Sequence, residues 1–371
     1  MAIHFDKRVQ GINISGIRKM FEGAGPGAIN LGLGQPDFDT PQHIKDAAIK
    51  AINEGFTAYT VNMGIPELRE ALSGKFKREN RLDYTPGEIM ITSGASEALH
   101  LAIEALCGKG DEVLVPDPGF VSYSALTVLA DAKPVGVPLG ERLKYDPETL
   151  KELITGRTKA IVLNSPSNPT GTIQTKAEVK AIAEIAKDKD ITVISDEVYE
   201  HFIYDGEHVS PGQFSDNVIT INASSKTYAM TGWRIGYVAA RPEYTEQMLK
   251  VHQYVQACAC SVSQKAALAA ITGPQESVGM MRDEFRKRRD YLVSELNAMG
   301  VECVRPQGAF YAFPFVGDEA RVVAELIKKG VIATPGTAFG ACGKGYMRLA
   351  YATSMPNIKK AVGIMKTVKM G

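Results

Sequence analysis

The 371-residue sequence is poor in several things, and each shortage removes a class of function. Formal charge is zero, with 42 Lys and Arg against 42 Asp and Glu. That leaves no electrostatic footprint for nucleic acid or an anionic membrane, so neither is expected as a partner. No apolar run approaches the ~20 residues of a membrane-spanning helix. The N-terminus lacks a basic segment followed by an apolar core, so no signal peptide is expected. The five cysteines, Cys107, Cys258, Cys260, Cys303 and Cys342, are odd in number and mostly in helix- or strand-like, burial-prone contexts. They read as reduced thiols of a cytoplasmic protein. Cys258 and Cys260 are too close for the usual zinc pair and no histidine cluster joins them, so no metal is expected. No internal repeat or low-complexity linker is visible.

The composition otherwise fits a globular chain too long for one ordinary core. From about residue 88 to 240, short apolar runs alternate with amphipathic stretches. Ile89–Thr92, Glu112–Val115, Ala160–Leu163, Ile191–Ser195 and Val218–Ile221 have the character of buried strands. Lys176–Lys187 has helical periodicity, and Asp146-Pro147 is a helix start with an N-cap and a first-turn proline. This rhythm predicts an α/β fold with a mostly parallel central sheet. After about 275 it changes. A long helix is expected over Gln275–Ala298, stopped by Gly300. Strands at Val301–Val304 and Phe310–Phe315, a helix at Glu319–Lys328, strands at Val331–Ala333 and Met347–Ala350, and a last helix follow. The expected organisation is an N-terminal segment, 1–40, packing on a small α+β C-terminal domain, 276–371, with a large domain at 41–275.

Three polar residues follow buried strands at similar intervals: Asn168, Asp196 and Lys226. In an open α/β sheet ligands bind at the carboxyl ends of strands, so these three should meet in one crevice. Any one of them alone reads better as a turn residue capping the next helix; the three together favour a site. The combination suits pyridoxal 5'-phosphate. A lysine can bind the cofactor covalently and then shuttle a proton, with burial and a nearby cation lowering its pKa. A carboxylate can hold the pyridine nitrogen protonated, and an asparagine amide can donate to the phenolic oxygen. Tyr199 can donate there too, or simply pack in the core.

Ser93-Gly94-Ala95-Ser96-Glu97 links a strand to a helix and offers free N–H groups to a phosphate; ordinary capping is the alternative. Arg234 lies in Trp233-Arg234-Ile235-Gly236-Tyr237-Val238, read as an apolar strand. A charge there needs a partner, either a phosphate or a structural carboxylate. Phe120 could stack on a ring or pack in the core. Arg348, in Met347-Arg348-Leu349-Ala350, suits a substrate α-carboxylate or a surface ion pair. Gly32-Leu33-Gly34-Gln35-Pro36-Asp37 lacks the third glycine of a dinucleotide fingerprint, and Gly108-Lys109-Gly110 lacks the hydroxyl of a P-loop.

From about Leu31 to Ala352 the chain resembles the class I aminotransferases of pyridoxal-phosphate fold type I, on the prokaryotic aspartate and archaeal aromatic branch. The likeness rests on the order and spacing of Gly34-Gln35-Pro36-Asp37-Phe38, Gly64 to Arg69, Asn164 to Gly171, Ser195 to Glu200, Ser225-Lys226-Thr227, Met230 to Gly236, and Arg348-Leu349. The resemblance implies Lys226 as the Schiff-base lysine, Asp196 at the ring nitrogen, and Asn168 and Tyr199 at the phenolic oxygen. It implies Ala95, Ser96, Ser225 and Arg234 at the phosphate, and Phe120 stacked on the ring. Arg348 and the backbone of Gly34, beside Asn168, would meet the substrate carboxylate. Tyr59 would reach the phosphate of a neighbouring subunit, making a homodimer, and Ile12 to Ile17 would form part of a lid. Two positions depart from the family pattern. Ala223 stands where relatives often carry serine, three residues before the lysine. Ser96 stands where some aspartate-specific relatives carry a lysine that reads the distal carboxylate.

The expected activity is transfer of an amino group from an L-amino acid, aspartate or aromatic first, to a 2-oxo acid such as 2-oxoglutarate, by a ping-pong cycle in amino-acid metabolism. A β-eliminating lyase of the same fold is the alternative. A regulator that senses the cofactor without catalysis is more remote, because no basic patch or spare DNA-binding segment is visible.

Overall fold

A computed structural model describes residues 4–12, 25 and 27–370. Its centre is a seven-stranded sheet: β2 (Ile89–Thr92), β3 (Glu112–Asp117), β4 (Lys133–Pro138), β5 (Thr158–Asn164), β6 (Thr192–Asp196), β7 (Val218–Ala223) and β8 (Gly236–Ala239). β1 (Ile29–Asn30) lies outside it. The spatial order is β2-β8-β7-β6-β5-β3-β4. Every residue of β6 and β7 is buried, as strands covered on both faces must be, and this explains their unbroken apolar runs. On one face Leu99 and Ile103 of the helix Ala95–Leu106 pack on Ile219, Ile221 and Val238. On the other, Ile182 and Ala186 of the helix Lys176–Asp188 meet Leu163, Val193 and Val218. A capping box between Thr175 and Glu178 starts that second helix.

The sheet is parallel except for β8, which runs against both β7 and β2. The carboxyl ends of β2, β3, β5, β6 and β7 therefore share one edge, and the amino end of β8 joins them there.

The C-terminal part builds a second core on the helix Glu276–Ala298, where Phe285, Leu292 and Leu296 pack with Leu326, Leu349 and Ile358. Gly300 stops this helix at φ +73°. β9 (Tyr311–Ala312), β11 (Thr334–Pro335) and β12 (Met347–Ala350) form a small antiparallel sheet. β10 (Val331–Ile332) instead pairs in parallel with β1, and Leu31 is buried in the same core. Residues 29–31 thus pack on the C-terminal part. The short helix Lys7–Gln10 lies elsewhere, with Arg8 donating to the Leu129 carbonyl.

Three expectations need correction. Val301–Val304 forms no ladder. Phe310–Phe315 is reduced to Tyr311–Ala312 plus a single bridge from Phe315 to Tyr346, because Pro314 has no N–H to donate. The strand drawn through Trp233–Val238 begins only at Gly236. Arg234 precedes it in left-handed backbone (φ +50°) after the 3-10 turn Thr231–Trp233. None of the five cysteines is fully buried, and all are free.

Gly171 joins the two parts. Its carbonyl accepts from the N–H groups of Gln307 and Gly308, at 2.8 and 2.9 Å. Its φ is +70°, and a Cβ there would stand 2.5 Å from the Tyr311 carbonyl and 2.6 Å from Pro306. Gly171→Ala is expected to lower the thermal midpoint by several degrees, since left-handed strain alone costs about 1–2 kcal/mol. Gly279→Ala, at a helical position open to space, should leave the midpoint unchanged or raise it. Equal effects in differential scanning calorimetry would refute the close-approach argument.

Candidate active site

A cavity of about 210 Å³ opens at the shared sheet edge. It is lined by Gly34, Ala95, Ser96, Phe120, Asn168, Asp196, Tyr199, Ser225, Lys226, Arg234 and Arg348, all candidates from the sequence, and also by Tyr123, Asn164 and Tyr311. Tyr59 is elsewhere, 89% exposed on the surface. Residues 13–17 of the expected lid lie outside the described residues.

Asp196 ends β6 and is buried. Tyr123 donates to its carboxylate at 2.7 Å and the Val198 N–H lies 3.4 Å from it. Burial pushes its pKa up to about 6, against the lowering effect of the Tyr123 hydrogen bond. Lys226 sits in the turn of helix Ser224–Thr227 after β7, and its Nζ donates to the Gly34 carbonyl at 3.0 Å. Burial, then the charge of Arg234, brings its pKa down to about 8, with Asp196 pulling the other way. The amine thus gives up its proton far more readily than an ordinary lysine, which raises the share of the neutral form that a nucleophile or base needs.

Asn164 fastens two of these groups in place. It stands opposite Asp196 in the β5–β6 ladder. Its amide donates to the Asp196 carbonyl at 2.9 Å, and its side-chain oxygen accepts from the Asn168 N–H at 2.8 Å. The Asn168 oxygen in turn accepts from Arg348 Nη1 at 2.9 Å, which leaves the Asn168 NH₂ as the free donor. Tyr199 and Tyr311 share a hydrogen bond of 2.8 Å between their hydroxyls.

Arg348 is 2% exposed and, among the described residues, has no carboxylate partner. Nη2 donates to the Gly32 carbonyl, the rings of Tyr311 and Phe339 each lie 4.7 Å from Cζ, and Nε is buried with no partner. A buried guanidinium in this state fits an incoming carboxylate. The surface ion pair held open for Arg348 is therefore wrong: the side chain faces inward.

At the other end, Gly94 (φ +79°) precedes the helix Ala95–Leu106, whose first N–H groups have no intrahelical acceptor. Arg234 closes over it, and a Cβ on Gly94 would stand 2.6 Å from Arg234 Nη2. Arg234 is exposed and donates to the Thr231 carbonyl, so the structural carboxylate considered for it is absent among the described ion pairs. Helix N-terminus, Ser96, Ser225 and guanidinium together fit a phosphate. Ser224, by contrast, is buried outside the cavity, and its hydroxyl has no partner.

Behind Asp196, Glu197 and Glu200 form a buried cluster with Lys75, Asn80, His208 and Asn222. Burial alone would push Glu200 up, but Lys75, His201 and His208 hold its pKa down to about 2. These carboxylates already have cationic partners within the protein.

Sequence reasoning missed Tyr123, Asn164 and Tyr311. Tyr123 carried a usable signal, since it stands one helical turn after Phe120 and a phenol packed there needs a hydrogen-bond partner. Tyr311 carried none beyond its place in an apolar run.

The buried Asp196 carboxylate weakens the cofactor-free fold wherever it is ionised. The folded pKa is raised, so stability is lost as pH climbs from about 4 through 6. Asp196→Asn keeps an acceptor for Tyr123 and removes the charge. The cofactor-free variant should exceed the parent in urea unfolding by up to about 3 kcal/mol above pH 6. That advantage should shrink towards pH 4; a pH-independent difference would contradict this account.

Comparison with known proteins agrees with the geometry. The family described as aminotransferase class I and II matches residues 26–364. A probable aspartate aminotransferase of Methanocaldococcus jannaschii is 48% identical over 370 residues, 97% of this chain and 98% of that one. Aromatic-amino-acid aminotransferase 2 of Thermococcus litoralis is 40% identical over 377 residues, 97% of each. The structure of the Thermus thermophilus aspartate aminotransferase with maleate superposes with a TM-score of 0.95 at 39% identity, covering 99% of this chain and all of that one. With this match in sequence and fold, the chain belongs to the class I and II aminotransferases, enzymes that depend on pyridoxal phosphate.

Proposed function

We propose that this aminotransferase takes its amino group from aspartate or an aromatic L-amino acid and passes it to 2-oxoglutarate in a ping-pong cycle. The observation that carries the reading is the alignment of three groups in one cavity: Lys226 with a lowered pKa, Asp196 with a buried carboxylate, and Arg348 without a counter-ion. The relatives named for aspartate and for aromatic substrates support both donors.

Bound pyridoxal phosphate supplies an electron sink for the carbanion formed at the substrate Cα. The protein's part follows from its own groups. Ala95, Ser96, Ser225 and Arg234 would hold the phosphate, and Phe120 would cover one ring face. Asp196, anchored by Tyr123, would hold a proton on the ring nitrogen. Asn168 and Tyr199 would donate to the phenolic oxygen. Arg348 would take the substrate α-carboxylate beside Gly34, placing Cα where Lys226 Nζ can remove its proton and return it. Ala223 contributes no hydroxyl to the phosphate, and Ser96 no charge to a distal carboxylate.

The finer organisation belongs to the same proposal: a large domain over 41–275, against which the helix Lys7–Gln10 lies, a small one over 276–371 with residues 29–31 attached, and a cytoplasmic location, for which the five free thiols speak. No helix among the described residues is long and apolar enough to cross a membrane. A homodimer would cover the exposed Tyr59, Val61, Tyr254 and Val255 and bring Tyr59 to the neighbour's phosphate.

The decisive experiment adds amino acids singly to the yellow holoenzyme without an acceptor. A donor that bleaches the band, with colour restored by 2-oxoglutarate, is the expected result, and Lys226→Ala should abolish the cycle. Pyruvate and ammonia without stable bleaching would instead establish the lyase. Arg348→Leu should lower kcat/KM for every α-amino acid by about 100-fold or more, the loss of a charged pair in a dry site. An unchanged kcat/KM would remove Arg348 from the carboxylate site.

A further inference from the structure

Tyr311 occupies the junction of the two halves of the site. It lies on β9, is 1% exposed, and reaches in three directions. Its hydroxyl is 2.8 Å from that of Tyr199. Its ring lies 4.7 Å from the Arg348 guanidinium carbon. Its hydroxyl also presses on Gly34, where a Cβ would come within 2.0 Å of it, and the Gly34 carbonyl receives Lys226 Nζ.

A phenol has one proton to donate. On the reading given above, Tyr199 donates its proton to the phenolic oxygen of the cofactor. Its oxygen must then accept from Tyr311, so the order of donation is fixed: Tyr311 to Tyr199 to cofactor. Chained hydrogen bonds strengthen one another, and the strength of this one depends on how acidic Tyr311 is. The ionisable groups facing it are Tyr199 and Asp196 from the large sheet, Arg348 from β12 and, across Gly34, Lys226. Burial raises the Tyr311 pKa, while the charge of Arg348 draws it down. Arg348 is the neighbour whose charge a substrate carboxylate would offset on binding.

We propose that Tyr311 is a positioning residue that reports occupancy of the Arg348 carboxylate site to the Tyr199 hydroxyl. The proposal rests on the aminotransferase roles assigned above and adds a residue to them. With Arg348 free, its charge makes Tyr311 a strong donor, and Tyr199 donates strongly in turn. With a carboxylate bound, both donations weaken and more negative charge stays on the cofactor's phenolic oxygen. That charge holds the proton on the neighbouring Lys226 nitrogen more firmly. Arrival of substrate is thereby converted into a change of protonation about the lysine. A second route from Arg348 runs through Asn168 and bypasses Tyr199, so the two can be separated.

The test uses holoenzyme of the parent, Tyr311→Phe, Tyr199→Phe and the double variant. In each, the visible band is titrated against pH with and without an unreactive carboxylate, succinate and 3-phenylpropionate in turn. Phenylalanine keeps the ring over Arg348, and cofactor content and thermal midpoint check that each variant folds. The parent midpoint should rise when carboxylate binds. Tyr311→Phe should begin about half a unit to one unit higher, the worth of one hydrogen bond, and respond less. On the Tyr199→Phe background the same substitution should leave the midpoint unmoved. Equal shifts on both backgrounds, or no shift on either, overturn the relay while the banded parent keeps the aminotransferase roles intact. A parent without any visible band in added pyridoxal phosphate overturns those roles and the relay together.

Discussion

The site depends first on the register of the β5–β6–β7 ladder. Parallel pairing puts Asn164 beside Asp196 and Asp196 beside Ile221, so three strands release their chains at one level. A slip of one residue would turn the alternate side chains to the other face and carry Asp196 out of the cavity. Asn164 reinforces the register where ladder hydrogen bonds run out. The single reversed strand completes the arrangement. Because β8 runs against its neighbours, the chain enters it at the edge where the others leave, and Arg234 is delivered to the Gly94 end of the cavity without a helical crossover.

The electrostatics divide into two zones. Behind the sheet edge, Lys75, Glu200, Glu197 and His208 offset one another inside the protein. In front of it, Asp196 and Arg348 are buried and Lys226 half-buried, with their charges only partly met. Such groups cost stability when the cavity is empty, and ligands of matching charge relieve that cost. The contrast separates a structural charge cluster from a binding one more clearly than residue type does, since both zones contain Lys and carboxylates.

The sequence conveyed the large sheet well because burial on both faces leaves continuous apolar runs, and β5, β6 and β7 differ from expectation only by one or two residues at their ends. It conveyed Lys226, Asp196 and Asn168 for a related reason: each follows such a run, and topology does the rest. The small sheet was less legible. β9 has two residues because Pro314 breaks the ladder, and pattern cannot show how few partners a short apolar run will find. Arg234 was placed on a strand because its neighbours are apolar; the left-handed turn that lifts it over Gly94 has no hydropathy signature. Tyr123 and Tyr311 act through hydroxyls whose partners are 73 and 112 positions away, a relation that only the folded chain displays.

The pairing of β1 with β10 also bears on how the molecule is made. Ile29 emerges from the ribosome about three hundred residues ahead of Val331, its partner. At roughly 5–20 residues per second it waits on the order of 15–60 seconds. Gly32 and Gly34, which follow that strand and touch Arg348 and Lys226, wait with it. The parallel core can assemble during synthesis, whereas the cavity wall formed by Gly32, Gly34 and Arg348 closes only once Val331 and Arg348 have been added. The cavity is therefore completed by segments that lie far apart in the order of synthesis.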